Sequence, residues 1–456
     1  MNASPGLRVL TQTEHSIRDH AVHPDAWKVL RRLHQAGHTA YLVGGTVRDL
    51  YLGRVPKDFD VATTAKPNEI KRLFRNAFMI GRRFRLAHIK FYDSVIEVAT
   101  FRQETDRFEE PSPETGEARA IRIYGTPEED ARRRDFTING LFYDPFRAHV
   151  IDYVGGLVDM EKRIVRTIAP PDASYEEDPA RMIRAVRAAA RLGFAIEADT
   201  GEAIIRHREA ILRCPKARLL EELMILLKYN SAERSLRLLW NFGLMEYILP
   251  MHHAYLLRRN NLPLHPPNQD VLFDLVSMLD LESAAPDPSV IFSLILFPFV
   301  LERLDLAPKL FWSHKSTSAV ITAVESIFDE FSKSVDISKR FRGRALEILT
   351  AQPRLVLRGS NIRPDKLAQK PYFLDSFMFF KIASRAVDFD TQSDIAFWEK
   401  HKPKSQPPRH AAGGDPSAAV RPEPHGAPPP GRRRHRRRRH RGRPPPGPAQ
   451  NQTATQ

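Results

Sequence analysis

Asp58 and Asp60, in the run KDFDV, stand one residue apart. On a strand, side chains at i and i+2 leave the same face ~7 Å apart along the backbone, with Phe59 and Val61 turned to the opposite side. Two carboxylates so placed can converge on a pair of divalent cations ~4 Å apart, the spacing of two-metal phosphoryl transfer. Magnesium suits them because it prefers oxygen ligands and shares its shell with substrate phosphates; manganese is the substitute. Alone, Asp-x-Asp is more often a solvated strand edge or a turn, so its neighbours decide.

The first neighbour is LVGGTVRD. An apolar strand runs into Gly44-Gly45, and a short helix leaves through Val47, Arg48, Leu50 and Leu52 before Gly53 stops it. Successive glycines let backbone N–H groups approach phosphate oxygens at a helix start, where negative charge is favoured. Asp58 follows Gly44 by 14 residues, so a phosphate cradle and a metal site fall side by side. A third acid lies in SVIEVATFR, where alternation puts Glu97 on the face opposite Ile96, Val98 and Thr100. If that strand lies beside the KDFDV strand, Glu97 completes the metal ligands; a paired or exposed glutamate is the plain alternative.

Two further clusters suit a nucleotide. RRRDFTINGLFYDP groups Arg133, Arg134, Asp135 and Asn139, the last two at i, i+4 and on one face if the segment is helical. EEDPARMIRAVRAAARLGF reads as a helix with Asp178 at its start, Pro179 at the first position and Gly193 as its stop. Ile183, Val186 and Ala190 form its apolar stripe, and Glu177, Arg181 and Arg184 line another face. A carboxylate and guanidinium groups on one helix can offer a base edge an acceptor and donors together. The alternative is a surface ion-pair ladder.

These residues need a scaffold. Up to about Asp159, short β-rich runs (AYLVGG, FDVAT, AHIKFYD, SVIEVATFR) alternate with helical stretches, which indicates an α+β domain. The polar segment Gln103 to Arg119 interrupts it and reads as a long mobile loop. From Tyr175 to about Lys400 apolar residues recur at i, i+3 and i+4, as in RLLEELMILLKYN, predicting helical packing throughout. The formal net charge is +15, but residues 401–456 hold 13 Lys and Arg against two Asp and Glu, leaving 57 against 53 for residues 1–400. That basic, proline-rich end lacks apolar periodicity and is expected to be disordered. With Cys214 alone, an intramolecular disulfide and a cysteine-built metal site are excluded. Neither a signal-peptide core nor an 18-residue apolar run is present, and a cytoplasmic protein is expected.

Taken in order, GGTVRD, DFDVAT, EVATFR, RRDFTING and EDPARMIRAVR resemble the class II nucleotidyltransferase family of bacterial poly(A) polymerases and CCA-adding tRNA nucleotidyltransferases. The resemblance is detailed from about Ala40 to Gly193 and weaker to about Pro250. It implies an N-terminal extension (1–24), a polymerase-β-like head (25–160), a helical neck for base recognition and RNA binding (161–250), a helical body (251–400) and a disordered basic tail (401–456). It further implies that Asp58, Asp60 and Asp135 are catalytic, that Asp58 and Asp60 bind magnesium, two ions being expected with Glu97 as the further ligand of the strand reading, and that Gly44 and Gly45 hold the triphosphate. The implied nucleotide-binding set continues with Arg48, Arg134, Asp135 and Asn139 near the sugar and phosphates, and with Glu177, Asp178, Arg181 and Arg184 at the base.

IGRRFRLAHIKF resembles the poly(A) polymerase branch, and Arg82 and Arg83 there, with Arg432, Arg433, Arg434, Arg436, Arg437, Arg438 and Arg439 in the tail, are the expected RNA-binding cations. The expected reaction is template-independent transfer of AMP from ATP to an RNA 3′ end. The RNAs would be mRNA and decay intermediates, with tRNA a further candidate and RNA-decay or RNA-chaperone proteins as partners. The rival readings are CCA addition and a non-catalytic RNA-binding protein that keeps the fold.

Overall fold

The strand-rich third of the chain folds as one eight-stranded mixed sheet in the computed structural model, which describes residues 6–81, 86–103, 124–228, 230–259, 270–282, 286–314, 316–357 and 363–403. Its strands are β1 (Arg8–Leu10), β2 (Ala40–Val43), β3 (Phe59–Thr63), β4 (Ala77–Ile80), β5 (Leu86–Lys90), β6 (Val95–Thr100), β7 (Leu141–Asp144) and β8 (His149–Asp152), in the order β1-β8-β7-β2-β3-β6-β5-β4. Only β3 and β6 run parallel; the other neighbours are antiparallel.

Alternation gives the sheet two unlike faces. Leu42, Val61, Ile89, Ile96 and Val98 turn into the main core, where α1 (Pro24–Gln35) lays down Ala26, Val29, Leu30 and Leu33, the i, i+3, i+4, i+7 stripe of a core-facing helix. On the other face Val43, Ala62, Phe101 and Phe142 close a smaller core with Ala131 of α4 (Pro127–Arg132). Between these lie α2 (Gly45–Tyr51) and α3 (Pro67–Leu73), and after the sheet α5 (Gly156–Lys162).

The neck begins with α6 (Pro171–Glu177) and α7 (Ala180–Leu192), then α8 (Ala198–His207) and α9 (Lys216–Leu226). A two-residue parallel ladder, β9 (Ile164–Val165) with β10 (Ala195–Ile196), joins the segment before α6 to the segment after α7. The remaining helices are α10 (Ala232–Asn241), α11 (Met245–Ile248), α12 (Pro250–Arg259), α13 (Val271–Asp280), α14 (Pro288–Arg303), α15 (Thr317–Phe331), α16 (Lys339–Ala351), α17 (Pro364–Ala368), α18 (Phe373–Ala386) and α19 (Gln392–Lys400). Helix α14 is apolar all round and buried from Ser289 to Leu301, so it forms the axis on which α13, α15, α16 and α18 pack. No described helix is long and apolar enough to cross a membrane.

Three expectations change. The described part of the 1–24 extension, residues 6–24, is built into the head: β1 pairs with β8, and Leu10, Ile17 and Val22 are buried in the main core, because an open edge at β8 would leave a row of backbone groups unpaired. Glu177 does not share a helix with Arg181 and Arg184: it ends α6, and Asp178, held extended before a proline at φ −143°, ψ 94°, separates it from α7, which begins and stops where the Asp178-to-Gly193 pattern puts it. Asp135 and Asn139 lie not on an α-helix but around a 3-10 turn, Thr137–Asn139. The segment 104–123, Arg82 and Arg83, and the tail beyond residue 403 lie outside the described residues.

One buried group gives the body a pH signature. His252 on α12 donates from Nε2 to the carbonyl of Ile295 on α14 at 2.9 Å, between the rings of Phe299 and Phe331. Burial pushes its pKa down to about 4 against that hydrogen bond. Between the unfolded value and about 4 only the unfolded chain binds this proton, so stability is lost as pH falls through that window, by on the order of 3 kcal/mol. In urea denaturation at pH 6.5 to 4, His252→Gln is expected to lose correspondingly less stability than the native chain; parallel curves would refute this.

Candidate active site

The site starts at the end of β2. Gly44 adopts φ +68° as the cap of α2, so the backbone requires glycine, and a Cβ there, 2.7 Å from Nη1 of Arg134, would also push that guanidinium aside. Arg134 is held in turn by Asp130 of α4, 2.9 Å away, and lies over the ring of Phe142.

Thr46, in the first turn of α2, joins this turn to the acid pair. Its hydroxyl donates to the carbonyl of Asp58 at 3.0 Å and accepts the N–H of Asp60 at 3.1 Å. The strand proper begins at Phe59, so Asp58 sits on its approach, exposed and 4.0 Å from Lys57, while Asp60 lies inside β3. The parallel register sets Asp60 beside Glu97 of β6, and Glu97 pairs with His88 of β5 at 3.1 Å.

Burial, then the charges of Glu97 and Asp58, push the Asp60 carboxyl up to about 7, against the pull of Arg134 and His88. A carboxylate held at that cost beside two others is a donor set short of positive charge, and it fits a divalent cation. Among the described residues no three His, Cys, Asp or Glu side chains stand at metal-binding spacing. The fit is therefore to an ion that completes its shell with phosphate oxygens and water, as magnesium does.

Beside the pair opens a cavity of about 310 Å³, lined by Gly45, Thr46, Arg48, Asp49, Lys57, Asp58, Asp60, Asp135, Asn139, Arg184, Arg187 and Arg191 among others. A chain of alternating charge crosses its floor from neck to head. Arg191 of α7 meets one oxygen of Asp49 at 2.7 Å, and Arg48 grips the other through Nε and Nη2 at 2.9 and 2.7 Å. Arg48 Nη1 donates to Asn139 at 2.6 Å, Asn139 donates to Asp135 at 2.9 Å, and Asp135 meets Arg184 of α7 at 2.7 Å. Burial alone would raise the Asp135 carboxyl, but Arg184, Asn139 and the Phe136 N–H outweigh it and hold the group below its usual range. Burial pushes Arg187 down against the attraction of Glu222 on α9.

The structure thus brings Gly45, Arg48, Asp58, Asp60, Asp135, Asn139 and Arg184 onto one cavity. Gly44, Arg134 and Glu97 are not part of its lining: Gly44 precedes Gly45, Arg134 lies against Gly44, and Glu97 is the cross-strand neighbour of Asp60. Glu177, Asp178 and Arg181 do not line it. Arg181 is paired with Glu177 at 2.6 Å and with Ser174, and Asp178 with Arg218 at 2.7 Å. Sequence reasoning missed Thr46, Asp49, Lys57, Arg187, Arg191 and Arg218. Asp49 carried a signal, the one acid of the short helix GTVRDLY; Arg187 and Arg191 extend the i, i+3, i+7 arginine row that starts at Arg184.

Comparison with known proteins follows the same order along the chain. A family model described as the poly A polymerase head domain matches residues 40–166. One described as a probable RNA and SrmB- binding site of polymerase A matches 193–256, and one described as the polymerase A arginine-rich C-terminus matches 313–441. Poly(A) polymerase I of Salmonella typhi is 35% identical over 413 residues, 89% of this chain and 88% of the relative. The CCA-adding enzyme of Bacillus subtilis is 32% identical over 328 residues, 72% of this chain and 76% of the relative. The crystal structure of the Bacillus stearothermophilus CCA-adding enzyme in complex with CTP superposes with a TM-score of 0.54 at 24% identity, covering 83% of this chain and 82% of that one, a likeness of fold.

Proposed function

Because this chain belongs to the poly(A) polymerase family of nucleotidyltransferases, which also holds the CCA-adding enzymes, we propose that it transfers AMP from ATP to the 3′ end of RNA without a template. The observation that carries the choice is the reach of the likeness: it runs through the body to the arginine-rich C-terminus, over 89% of the chain for the poly(A) polymerase against 72% for the CCA-adding enzyme.

In this reading the primer 3′ oxygen bonds to the α-phosphorus as the bridge to the β-phosphate breaks, and pyrophosphate leaves. Asp58, Asp60 and Glu97 are the residues that would hold magnesium. When bound, the divalent ions lower the pKa of the attacking hydroxyl and neutralise the departing phosphates. The protein's own work is placement. Gly44 and Gly45 give the triphosphate a backbone cradle, Thr46 fixes the acid pair to that cradle, and Arg48, held by Asp49 and Asn139, is aimed into the cavity with its charge already in place. Preset groups of this kind stabilise charge without reorganising during the reaction. Asp135, fixed by Arg184 and Asn139, offers an acceptor at the sugar. This reading gives the base to Arg184 on the cavity and to Glu177, Asp178 and Arg181 at the α6–α7 junction, off its lining, and RNA phosphates to Arg82, Arg83, Arg432, Arg433, Arg434, Arg436, Arg437, Arg438 and Arg439.

The deciding experiment is product composition. With ATP alone and an arbitrary RNA, we expect metal-dependent growth of a long adenylate tail. Ordered addition of CTP then ATP to truncated tRNA, with no tail on other RNA, would assign CCA addition. No incorporation under either condition would leave a binding protein.

A further inference from the structure

The sheet face that carries Asp60 continues past the acid pair to the sheet's edge. The cross-strand register places four side chains in one row: Asp60 of β3 opposite Glu97 of β6, Glu97 opposite His88 of β5, and His88 opposite Phe78 of β4. The adjoining row holds Val95 opposite Lys90. At the inner end this face is closed by the small core beneath α4, but at the outer end Phe78 is 54% exposed and Val95 43% exposed. Lys90 Nζ stands 4.8 Å over the Phe78 ring. An aromatic ring and a cation therefore sit together at the strand that ends the sheet among the described residues, three strand spacings, or ~14 Å, from Asp60.

We propose that this half of the face is the platform for the single-stranded 3′ end of the RNA primer, with Phe78 as the ring on which an upstream base stacks and Lys90 as the cation that meets a neighbouring phosphate. The proposal rests on the reading of Asp58 and Asp60 as the reactive centre. The chemistry matches a single strand: every base has a face to stack, stacking tolerates any sequence, and a cation beside the ring suits a phosphate-bearing chain. The distance matches too. About four stacked nucleotide steps of ~3.4 Å span the gap from the reacting 3′ end to Phe78, so a primer of roughly eight nucleotides reaches the ring and a dinucleotide does not.

The test is Phe78→Ala against Phe78→Trp, with an RNA of roughly eight nucleotides and with a dinucleotide as primers. Loss of one base–ring stack corresponds to between about 5- and 150-fold in affinity. We expect Phe78→Ala to raise KM for the longer RNA about tenfold, to leave kcat, the KM for ATP and the dinucleotide reaction within about twofold, and Phe78→Trp to restore native behaviour. An unchanged KM for the longer RNA, or an equal loss on both primers, overturns the platform.

Equilibrium binding of the longer RNA by fluorescence anisotropy judges the same point without turnover. If the native protein extends no primer, the functional reading fails, while a Kd raised by Phe78→Ala and restored by Phe78→Trp still supports the platform. An unchanged Kd with an altered oligomeric state would instead make Phe78 a contact between protein chains and overturn it.

Discussion

Asp60→Asn is expected to lower kcat for AMP incorporation by at least about a thousandfold, the scale seen when a preset electrostatic group is removed from a reacting centre, while the protein stays folded. The same substitution should leave the chelator-treated protein as heat-stable as the native one, or more so. Burial, Glu97 and Asp58 raise the Asp60 carboxyl to about 7 in the folded state. Between the unfolded value and about 7 the folded chain binds the proton and the unfolded chain does not, so the group's contribution is present in acid and is lost as pH rises through that window. At pH 8 the native protein bears the repulsion in full and the asparagine variant does not. Thermal denaturation in chelator beside a single-turnover assay checks both halves. Retained activity would remove Asp60 from the reaction, and a collapse of Tm with activity would make it structural.

Arg184→Met should damage stability and activity together. Its guanidinium meets Asp135 at 2.7 Å, and Asp135 is almost fully buried while Arg184 is about a third exposed. Breaking a buried pair strands the remaining charge; with the exposure of Arg184 taken into account, the loss should be about 3 kcal/mol at neutral pH. The folded Asp135 carboxyl lies below its usual range because of this pairing, so its contribution is present above the unfolded pKa and disappears as pH falls through the folded one. The gap between variant and native should therefore narrow in acid. Adding Asp135→Asn to the variant should recover part of the loss, since no charge is then left buried. Because Arg184 also lines the cavity, kcat/KM for ATP should fall about a hundredfold. A variant as stable as the native chain at pH 7 would show that Asp135 is held by other groups.

The acid pair, the glycine turn and the helix that ends at Gly193 were legible because each is a local pattern: a period of two, a backbone that needs φ above zero, an apolar stripe with a stop. The start of that helix at Asp178 was legible as well, since a residue before proline resists the helical region, but the same break takes Glu177 off the face it was expected to share with Arg181 and Arg184. Thr46 was not: a threonine in the first turn of a helix has many ordinary uses, and its role depends on where β3 passes. Asp49 and Arg191 are 142 residues apart, and only the packing of α7 against the head lets one carboxylate serve two arginines. The three residues of β1 are too few to show a period, so their place in the sheet comes from the edge they cover rather than from their own sequence.

The strand order also sets a timetable for synthesis. Residues 8–10 pair with residues 150–152, so the first strand of the sheet waits for its last. At roughly 5–20 residues per second the interval is on the order of ten seconds. During it, β2, β3 and β6 can assemble around α1 while the nascent chain's leading segment stays unpaired. A ribosome paused within the β6-to-β7 connection would hold the head two strands short, β7 and β8 both unmade and β1 without its partner, with Leu10 open to any chaperone that reads exposed apolar chain.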